Sequence, residues 1–437
     1  MVKTCGSGNI HLTRRSNGQK TVGCFTPFTI LANNLSPLSK ALALQGIIVI
    51  RLKYLSGMFF LFIIAITTSV SSEPNKESML NEMQLLKQQY KLPSLSLSIN
   101  INNKLVFSDA VGYADINERK KATVDTQYSV GSLAKPMTGI ALAKLVDLDK
   151  VSLDSLVSQY IKQPVYTDSF TVRELASHIA GIPHDTPERD EAEFVNIKDH
   201  KSPFDAFYVF SSHLLLSSPG TEYKYSSNGY ILLSAIIEQA AKMNYVDFLK
   251  SSLWSKFGME STELDTSFAG IQHEATYYSD YNTDGKYVQS TKNRDRSFLF
   301  GGGGFISTPT DLTNMAQATY SDNYLSSQTR QAIYTPTKLR NGEVNSDKYS
   351  LGWRVGSIKL NDDDNHAWTV LHHGGVTDKA STAYLLVIPE CKASIAFATN
   401  YIPNKFWRMR PKMAEILKSY INVAECKKAN KSLKQDK

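Results

Sequence analysis

The sequence predicts an α/β (α+β) fold: segments from both ends of the chain form one antiparallel sheet flanked by helices, and a mainly helical domain is inserted between them. Two observations support this prediction. Apolar and polar residues alternate near residue 94 and again in the last third, whereas helical spacing of apolar residues dominates the middle. With 42% hydrophobic and 20% charged residues in 437, the composition is that of a globular protein and excludes a disordered or fibrous chain.

The first 72 residues have the features of a leader. They contain seven Lys or Arg residues and no Asp or Glu. Arg51 and Lys53 precede the apolar run 58–66, and small residues follow to Ser72, which is the order of a secretory signal peptide with its core at about 58–72. We therefore expect export to the periplasm or the medium, with an uncleaved membrane anchor or a mitochondrial targeting segment as alternatives.

The chain after the leader is close to electrical neutrality, with 41 basic and 41 acidic residues. This balance predicts no nucleic-acid partner.

Only Cys391 and Cys426 lie beyond the leader, so one internal disulfide or two free thiols are equally compatible with the sequence. No Cys or His spacing predicts a metal site.

The first predicted elements are a helix, a hairpin and a second helix. Apolar residues at helical spacing predict a helix over 76–90. Alternation on either side of the turn 102–104 predicts a β-hairpin of 94–101 and 105–113. The apolar segment 134–148 predicts the next helix.

The remaining chain divides into a helical middle and a β-rich end. Helical patterns dominate 151–253. The charged segment 182–204 interrupts them and predicts a surface loop or lid. The segment 273–296 predicts a loop or a short hairpin. The expected organisation is a sheet subdomain (76–130 and 345–425), a helical subdomain (131–344) and a polar tail (426–437). The last predicted elements are strands at 352–360, 368–372, 381–388 and 393–399 and a helix over about 405–423.

The strongest chemical motif is Ser132-Leu133-Ala134-Lys135. Residues three apart share a helix face, so the Lys135 amine is expected beside the Ser132 hydroxyl at a helix start. A serine hydroxyl becomes an effective nucleophile when a base takes its proton, and a desolvated lysine can be that base. The alternative interpretation is that Ser132 caps the helix and Lys135 is exposed.

Two further segments favour the chemical interpretation. The loop 219–230 leads into an apolar helix and is expected to present Tyr225 and Ser227 toward Ser132. The segment 372–375 closes a strand, and its glycines permit a substrate to approach the backbone closely. The run 301–304 lacks a following Gly-Lys-Ser/Thr and predicts a tight turn beside the site. His178 and His184 are interpreted as structural histidines.

In order along the chain, these segments resemble the motifs of the serine β-lactamase and penicillin-binding-protein superfamily, in its class C-like branch. Within that branch the chain is most similar to the mitochondrial serine β-lactamase-like proteins and their bacterial relatives. The resemblance covers about 83–399 and implies a β-lactamase/transpeptidase-like fold and hydrolysis through an acyl-enzyme without metal or cofactor. Its motifs lie at 130–135, 171–182, 219–230, 302–312 and 372–375.

The resemblance also implies roles for individual residues. Ser132 would attack the carbonyl, Lys135 would help to deprotonate it, and Tyr225 would transfer a proton to the leaving atom. The backbone N–H groups of Ser132 and Gly375 would form the oxyanion hole. Substrate-binding positions would be Ser227, His372, His373 and Gly374.

The chain departs from the family pattern at two motifs. Ser227 stands where the family usually has Asn, and a hydroxyl cannot offer the paired donor and acceptor of an amide. In the last motif, 372–375, His372 takes the place of the family's Lys or His and His373 that of a hydroxyl residue, which weakens capture of a carboxylate. We therefore expect a peptidase or esterase acting on a small-molecule or peptide substrate with an ester or amide carbonyl. The alternatives are a β-lactamase or D-Ala-D-Ala carboxypeptidase, and a non-catalytic binding or assembly module; the oligomeric state is left open.

Overall fold

The computed structural model describes residues 75–428 apart from 163–166, 168, 185, 187–201, 267–272, 291–294 and 363–364. The predicted leader, most of the predicted lid 182–204 and most of the polar tail lie outside the described residues. Within the described ranges, no helix combines the length and the apolar character needed to cross a membrane.

The strands are short in the middle of the chain and long near its ends. Helices of varied length separate them. The strands are β1 (Ser94–Ile101), β2 (Lys104–Asp115), β3 (Lys120–Lys121), β4 (Tyr128–Ser129), β5 (Glu263–Leu264), β6 (Tyr278–Tyr281), β7 (Tyr287–Gln289), β8 (Phe305–Ser307), β9 (Arg354–Ile358), β10 (Trp368–Thr377), β11 (Ser381–Ile388) and β12 (Ala393–Thr399). The α-helices are α1 (Lys76–Gln89), α2 (Ala134–Asp147), α3 (Val172–Ala176), α4 (Pro203–Tyr208), α5 (Ser227–Ala241), α6 (Tyr245–Leu249), α7 (Ser255–Phe257), α8 (Pro309–Ala316), α9 (Ser327–Tyr334) and α10 (Met409–Ser419).

Seven strands form the main sheet in the order β3-β2-β1-β12-β11-β10-β9, and every neighbouring pair is antiparallel. The N-terminal hairpin joins the C-terminal strands where β1 pairs with β12, for example through Leu97 opposite Phe397. This arrangement confirms the predicted sheet built from both ends of the chain.

Alternation along the strands divides the buried side chains between two apolar clusters. On β12, Ile395 and Phe397 join the cluster that contains α1 and α10, whereas Ala396 and Ala398 join the larger cluster on the other face. Successive strand residues point to opposite faces, so both faces of the sheet are covered. The larger cluster also contains the buried faces of α2 and α5, which brings the helical region against β10 and β11.

The middle of the chain contains less helix than the sequence predicts. Among the described residues of 151–226, the α-helices are α3 and α4, and most of the remaining backbone follows turns and loops. Prediction from apolar spacing was wrong there because buried loop residues such as Ile179 and Ile182 produce the same pattern as a helix face. The predicted hairpin within 273–296 is formed by β6 and β7.

The two cysteines beyond the leader are bonded to each other. Cys391 follows β11, Cys426 follows α10, and their Cα atoms are 4.7 Å apart. The bond ties the end of the described chain to the cluster beneath α10, and it resolves the alternative that the sequence left open.

Candidate active site

Ser132 lies in a tight 3-10 turn, Gly131–Leu133, between β4 and α2. The backbone of Gly131 is left-handed (φ +49°), and a Cβ atom there would lie 2.8 Å from the Val376 carbonyl oxygen, so this position favours glycine. The Ser132 side chain does not cap α2, whose first residues have no side-chain cap. The capping interpretation of Ser132 is therefore wrong, and its hydroxyl is available for other contacts.

Lys135 is completely buried, and its ammonium group points at Ser132. The Lys135 Nζ atom donates to Ser132 Oγ at 3.1 Å, to Ser227 Oγ at 2.9 Å and to the Gly302 carbonyl at 2.5 Å. The predicted three-residue spacing brings the first pair together, and the buried polar contacts offset the cost of removing an amine from water. The Gly302 contact also places the predicted glycine turn beside the site.

Tyr225 also contacts Ser132. Its hydroxyl donates to Ser132 Oγ at 2.8 Å, so the serine oxygen is hydrogen-bonded to both groups. The Tyr225 ring lies 4.8 Å from Lys135 Nζ, close enough for a cation–π contact. Ser227, which accepts from Lys135, is the first residue of α5 rather than a loop residue, because Ser226 caps that helix by accepting from the Gly229 N–H.

The two histidines of the last motif, 372–375, point in opposite directions. His373 is completely buried and lines the same cavity as Ser132 and Tyr225. Its Nε2 atom lies 3.0 Å from the Tyr349 hydroxyl and 3.2 Å from Arg354 Nη1, and its Nδ1 atom lies 2.8 Å from the Gly374 carbonyl. Since arginine only donates, Nε2 accepts and Nδ1 carries the proton. Burial and the charges of Arg354 and Lys135 hold the pKa of His373 well below its usual value.

The structure corrects the prediction for His372. Its ring lies 6.0 Å from the Tyr384 ring, and the residue is absent from the cavity lining. Tyr384 belongs to the cluster beneath α10. Burial, followed by the charges of Arg410 and Arg354, lowers the pKa of His372 to about 4. Of the two histidines, His373 lines the cavity and His372 does not.

Gly375, the predicted second oxyanion donor, packs against the turn that carries Ser132. The α-carbon of Gly375 faces the turn before Ser132, where an added Cβ would lie 1.8 Å from the Val130 carbonyl oxygen. Along β10 the cavity is lined by His373, Gly374, Val376 and Thr377, and Gly375 does not take part. Gly375 thus permits close packing of β10 on the serine turn.

Comparison with known proteins identifies the family to which this chain and its fold belong. Residues 80–415 match the Beta-lactamase family. The chain belongs to this family. It is 25% identical over 400 residues to the human serine beta-lactamase-like protein LACTB, mitochondrial, a match covering 72% of each chain. It is also similar to penicillin-binding protein 4* of Bacillus subtilis, with 26% identity over 57% of this chain and 56% of that protein. A solved class C beta-lactamase shares the fold, with a TM-score of 0.60 at 20% identity over 79% of this chain and 96% of that one.

Membership of the Beta-lactamase family places the chain in the superfamily of β-lactamase-like and penicillin-binding-protein-like serine hydrolases.

The cavity beside Ser132 has a volume of about 370 Å³. Three arginines line it that sequence analysis did not identify: Arg296, Arg354 and Arg410. None belongs to a short motif, and the three come from different parts of the chain, so local patterns could not have identified them.

The arginines differ in how their charges are balanced. Arg354 donates to Asp347 at 2.7 Å, and Arg296 lies 3.8 Å from the buried Asp265. Arg410 forms no ion pair with a described residue, and its buried Nε atom makes no hydrogen bond to any of them.

Among the described residues, no three His, Cys, Asp or Glu side chains gather in a geometry that could hold a metal ion.

Proposed function

We propose that the protein is a serine hydrolase that cleaves an ester or amide carbonyl of a small molecule or peptide through an acyl-enzyme on Ser132. One observation carries the proposal. Ser132 Oγ accepts hydrogen bonds from Tyr225 OH at 2.8 Å and Lys135 Nζ at 3.1 Å, so a proton can leave the serine along either contact once these groups exchange donor and acceptor roles.

Each group has a defined task in this reaction. With the Lys135 amine unprotonated, the Ser132 oxygen forms a bond to the carbonyl carbon while its proton passes to that amine, directly or through the Tyr225 hydroxyl. Tyr225 then delivers a proton to the leaving oxygen or nitrogen as the carbon–leaving-group bond breaks, and water hydrolyses the resulting ester to restore Ser132. The Ser132 N–H is one oxyanion donor. For the other, we assign the β10 backbone at Val376, which lines the cavity, in place of Gly375.

Covalent labelling tests this proposal. Intact-mass spectrometry after treatment with a fluorophosphonate should show one adduct on the wild-type protein and none on Ser132→Ala. Ser98→Ala is a suitable control, because Ser98 is also buried but lies on β1 and bonds Ser108 and Thr310. Equal labelling of Ser132→Ala, or an unlabelled wild-type protein, would overturn the assignment.

A second candidate function is hydrolysis of a carboxylate-bearing amide, as a β-lactamase or D-Ala-D-Ala carboxypeptidase. The observation that favours it is Arg410, a cation in the lining of the cavity without a carboxylate partner among the described residues. The sequence led us to rank this activity lower because His372 carries little positive charge near pH 7. Arg410 can supply the attraction that His372 lacks, and an arginine binds a carboxylate through two parallel N–H groups.

A comparison of substrates distinguishes the two candidates. Arg410→Gln should slow acylation by benzylpenicillin about 10-fold and leave acylation by a neutral p-nitrophenyl ester unchanged. Arg408→Gln serves as the control, since Arg408 is an exposed arginine two residues earlier. If benzylpenicillin does not acylate the wild-type protein and the ester does, the carboxylate candidate fails and the ester or peptide candidate stands.

We also propose that the leader directs export, with a mitochondrial location as the alternative. The order of charged, apolar and small residues before Glu73 supports export. The similarity to human LACTB, which is described as mitochondrial, supports the alternative. Fractionation of source cells, with mass spectrometry of the mature N-terminus, separates the two.

A further inference from the structure

The segment 178–184 lies along the start of α5 and the residues just before it. The Lys224 N–H donates to the His178 carbonyl at 2.7 Å. The Ser226 hydroxyl and the Asn228 amide donate to the Pro183 carbonyl at 2.9 and 3.1 Å. These contacts fix one chain segment against the other, although they involve none of the groups assigned to catalysis.

Two imidazoles of this segment accept the backbone N–H groups of the two residues that follow the catalytic tyrosine. The Ser226 N–H donates to His178 Nδ1 at 3.1 Å, and the Ser227 N–H donates to His184 Nδ1 at 3.0 Å. The first N–H groups of a helix lack partners within the helix, so an external acceptor satisfies them. An imidazole nitrogen accepts only when it carries no proton, and both rings are therefore neutral in this arrangement.

The surroundings of His178 preserve the neutral form. The residue is 2% exposed, and its ring centroid lies 4.4 Å from that of Tyr225 and 4.6 Å from that of Tyr349. Burial, together with the charges of Lys135 and Arg354, holds its pKa well below the usual value for histidine. Its backbone is left-handed (φ +59°), a conformation costly for non-glycine residues that persists where surrounding contacts require it.

We propose that His178 and His184 are positioning residues that hold Tyr225 and Ser227 in place through these two N–H···Nδ1 hydrogen bonds. His178 acts on the tyrosine side, where its ring also packs against Tyr225. His184 acts on the serine side, because it fixes the backbone of the residue whose Oγ accepts from Lys135. The catalytic consequence rests on the proposed function, whereas the hydrogen bonds themselves can be measured without any activity.

The test compares a variant that lacks the acceptor with one that retains it. His184→Leu and His178→Leu remove Nδ1, whereas His184→Asn and His178→Asn place a carbonyl oxygen near its position. Asn also tolerates the left-handed backbone at position 178. In single-turnover acylation by a p-nitrophenyl ester, each Leu variant should lose at least 10-fold in the maximal rate constant with little change in substrate binding, and each Asn variant should recover to within about threefold of wild type.

Coupling to the catalytic groups separates positioning from general destabilisation. In the Tyr225→Phe background, His178→Leu should cause little further loss of acylation, because it acts through the tyrosine hydroxyl. His184→Leu should likewise add little to Ser227→Ala. Fully multiplicative losses in both cycles would overturn the catalytic role of the two histidines.

Amide hydrogen exchange provides a readout that does not depend on activity. The Ser226 and Ser227 amides should exchange faster in the corresponding Leu variants, while helix amides near Ile236 keep wild-type protection. Unchanged exchange at Ser226 and Ser227 would overturn the proposal even if acylation is slowed.

His184→Leu keeps the test decisive if His178→Leu does not fold, because the backbone of residue 184 is outside the left-handed region. Failure of Ser132 to form an adduct in the wild-type protein would overturn the proposed function and the catalytic role, whereas exchange still tests the hydrogen bonds.

Discussion

His372 and His373 are adjacent in sequence, yet the structure gives them different environments. His373 lies in the wall of the catalytic cavity with Tyr349 and Arg354 around its ring. His372 points to the opposite face of the sheet, toward Tyr384 and the cluster beneath α10. Because the side chains of a strand alternate between its faces, a motif match displaced by one residue exchanges a substrate-facing group for a core group.

The glycines that follow show the same alternation. Gly375 lies on the face of His373 and packs on the turn before Ser132, whereas Gly374 lies on the face of His372, near Arg410. Paired variants of neighbouring residues can therefore break or sharpen the comparison between the two faces of β10.

The largest difference is expected between Gly375→Ala and Gly374→Ala. A Cβ at Gly375 would lie 1.8 Å from the Val130 carbonyl oxygen, whereas a Cβ at Gly374 would meet its nearest atom, Arg410 Nη2, at 3.6 Å. We expect Gly375→Ala to lower the free energy of unfolding by about 3 kcal/mol or more and to abolish acylation, because the backbone of β10 or of the turn before Ser132 must move. Gly374→Ala should stay within about 1 kcal/mol of wild type in urea unfolding. Equal stability of the two variants would contradict the assigned packing.

The next difference concerns activity. His373→Ala removes the partner of Tyr349 and Arg354, and hydrogen bonds to charged groups contribute about 1.5–3 kcal/mol, so acylation should slow about 10- to 100-fold. His372→Ala should remain within about threefold of wild type, since that ring does not line the cavity. Single-turnover ester hydrolysis measures both rates. A larger loss for His372→Ala would restore the original assignment from the sequence.

The smallest expected effect is the pH dependence that His372 adds to stability. Its folded-state pKa of about 4 lies below the ordinary value of 6.5, so between these values the unfolded chain binds a proton that the folded protein excludes. Wild-type stability should therefore fall as the pH decreases from about 6.5 toward 4. His372→Leu should reduce the loss between pH 7.5 and pH 5 by about 1–2 kcal/mol in urea unfolding. Identical pH profiles would show that His372 is not held neutral in the folded protein.

The accuracy of the sequence predictions depended on how local the deciding interactions are. The N-terminal hairpin and β11 and β12 were predicted closely because alternation and turn residues act within a few positions. The contact between Ser132 and Lys135 follows from three-residue spacing in the same way. Residues 151–226 were predicted less well, because apolar loop residues buried by distant segments imitate a helix face.

The sequence by itself determined which residue types are available and their local spacing: a serine and a lysine at one helix start, a tyrosine before another, and a histidine–glycine strand. Tertiary structure decided which of the two histidines lines the cavity beside Ser132, which residues of β10 line it, and that Arg410 reaches the same cavity from α10. The physical reason is that these outcomes depend on strand register and on the packing of segments more than 200 residues apart, such as β1 on β12. A motif specifies chemistry within a few residues, whereas the direction of each side chain is set by the sheet and helices that pack around it.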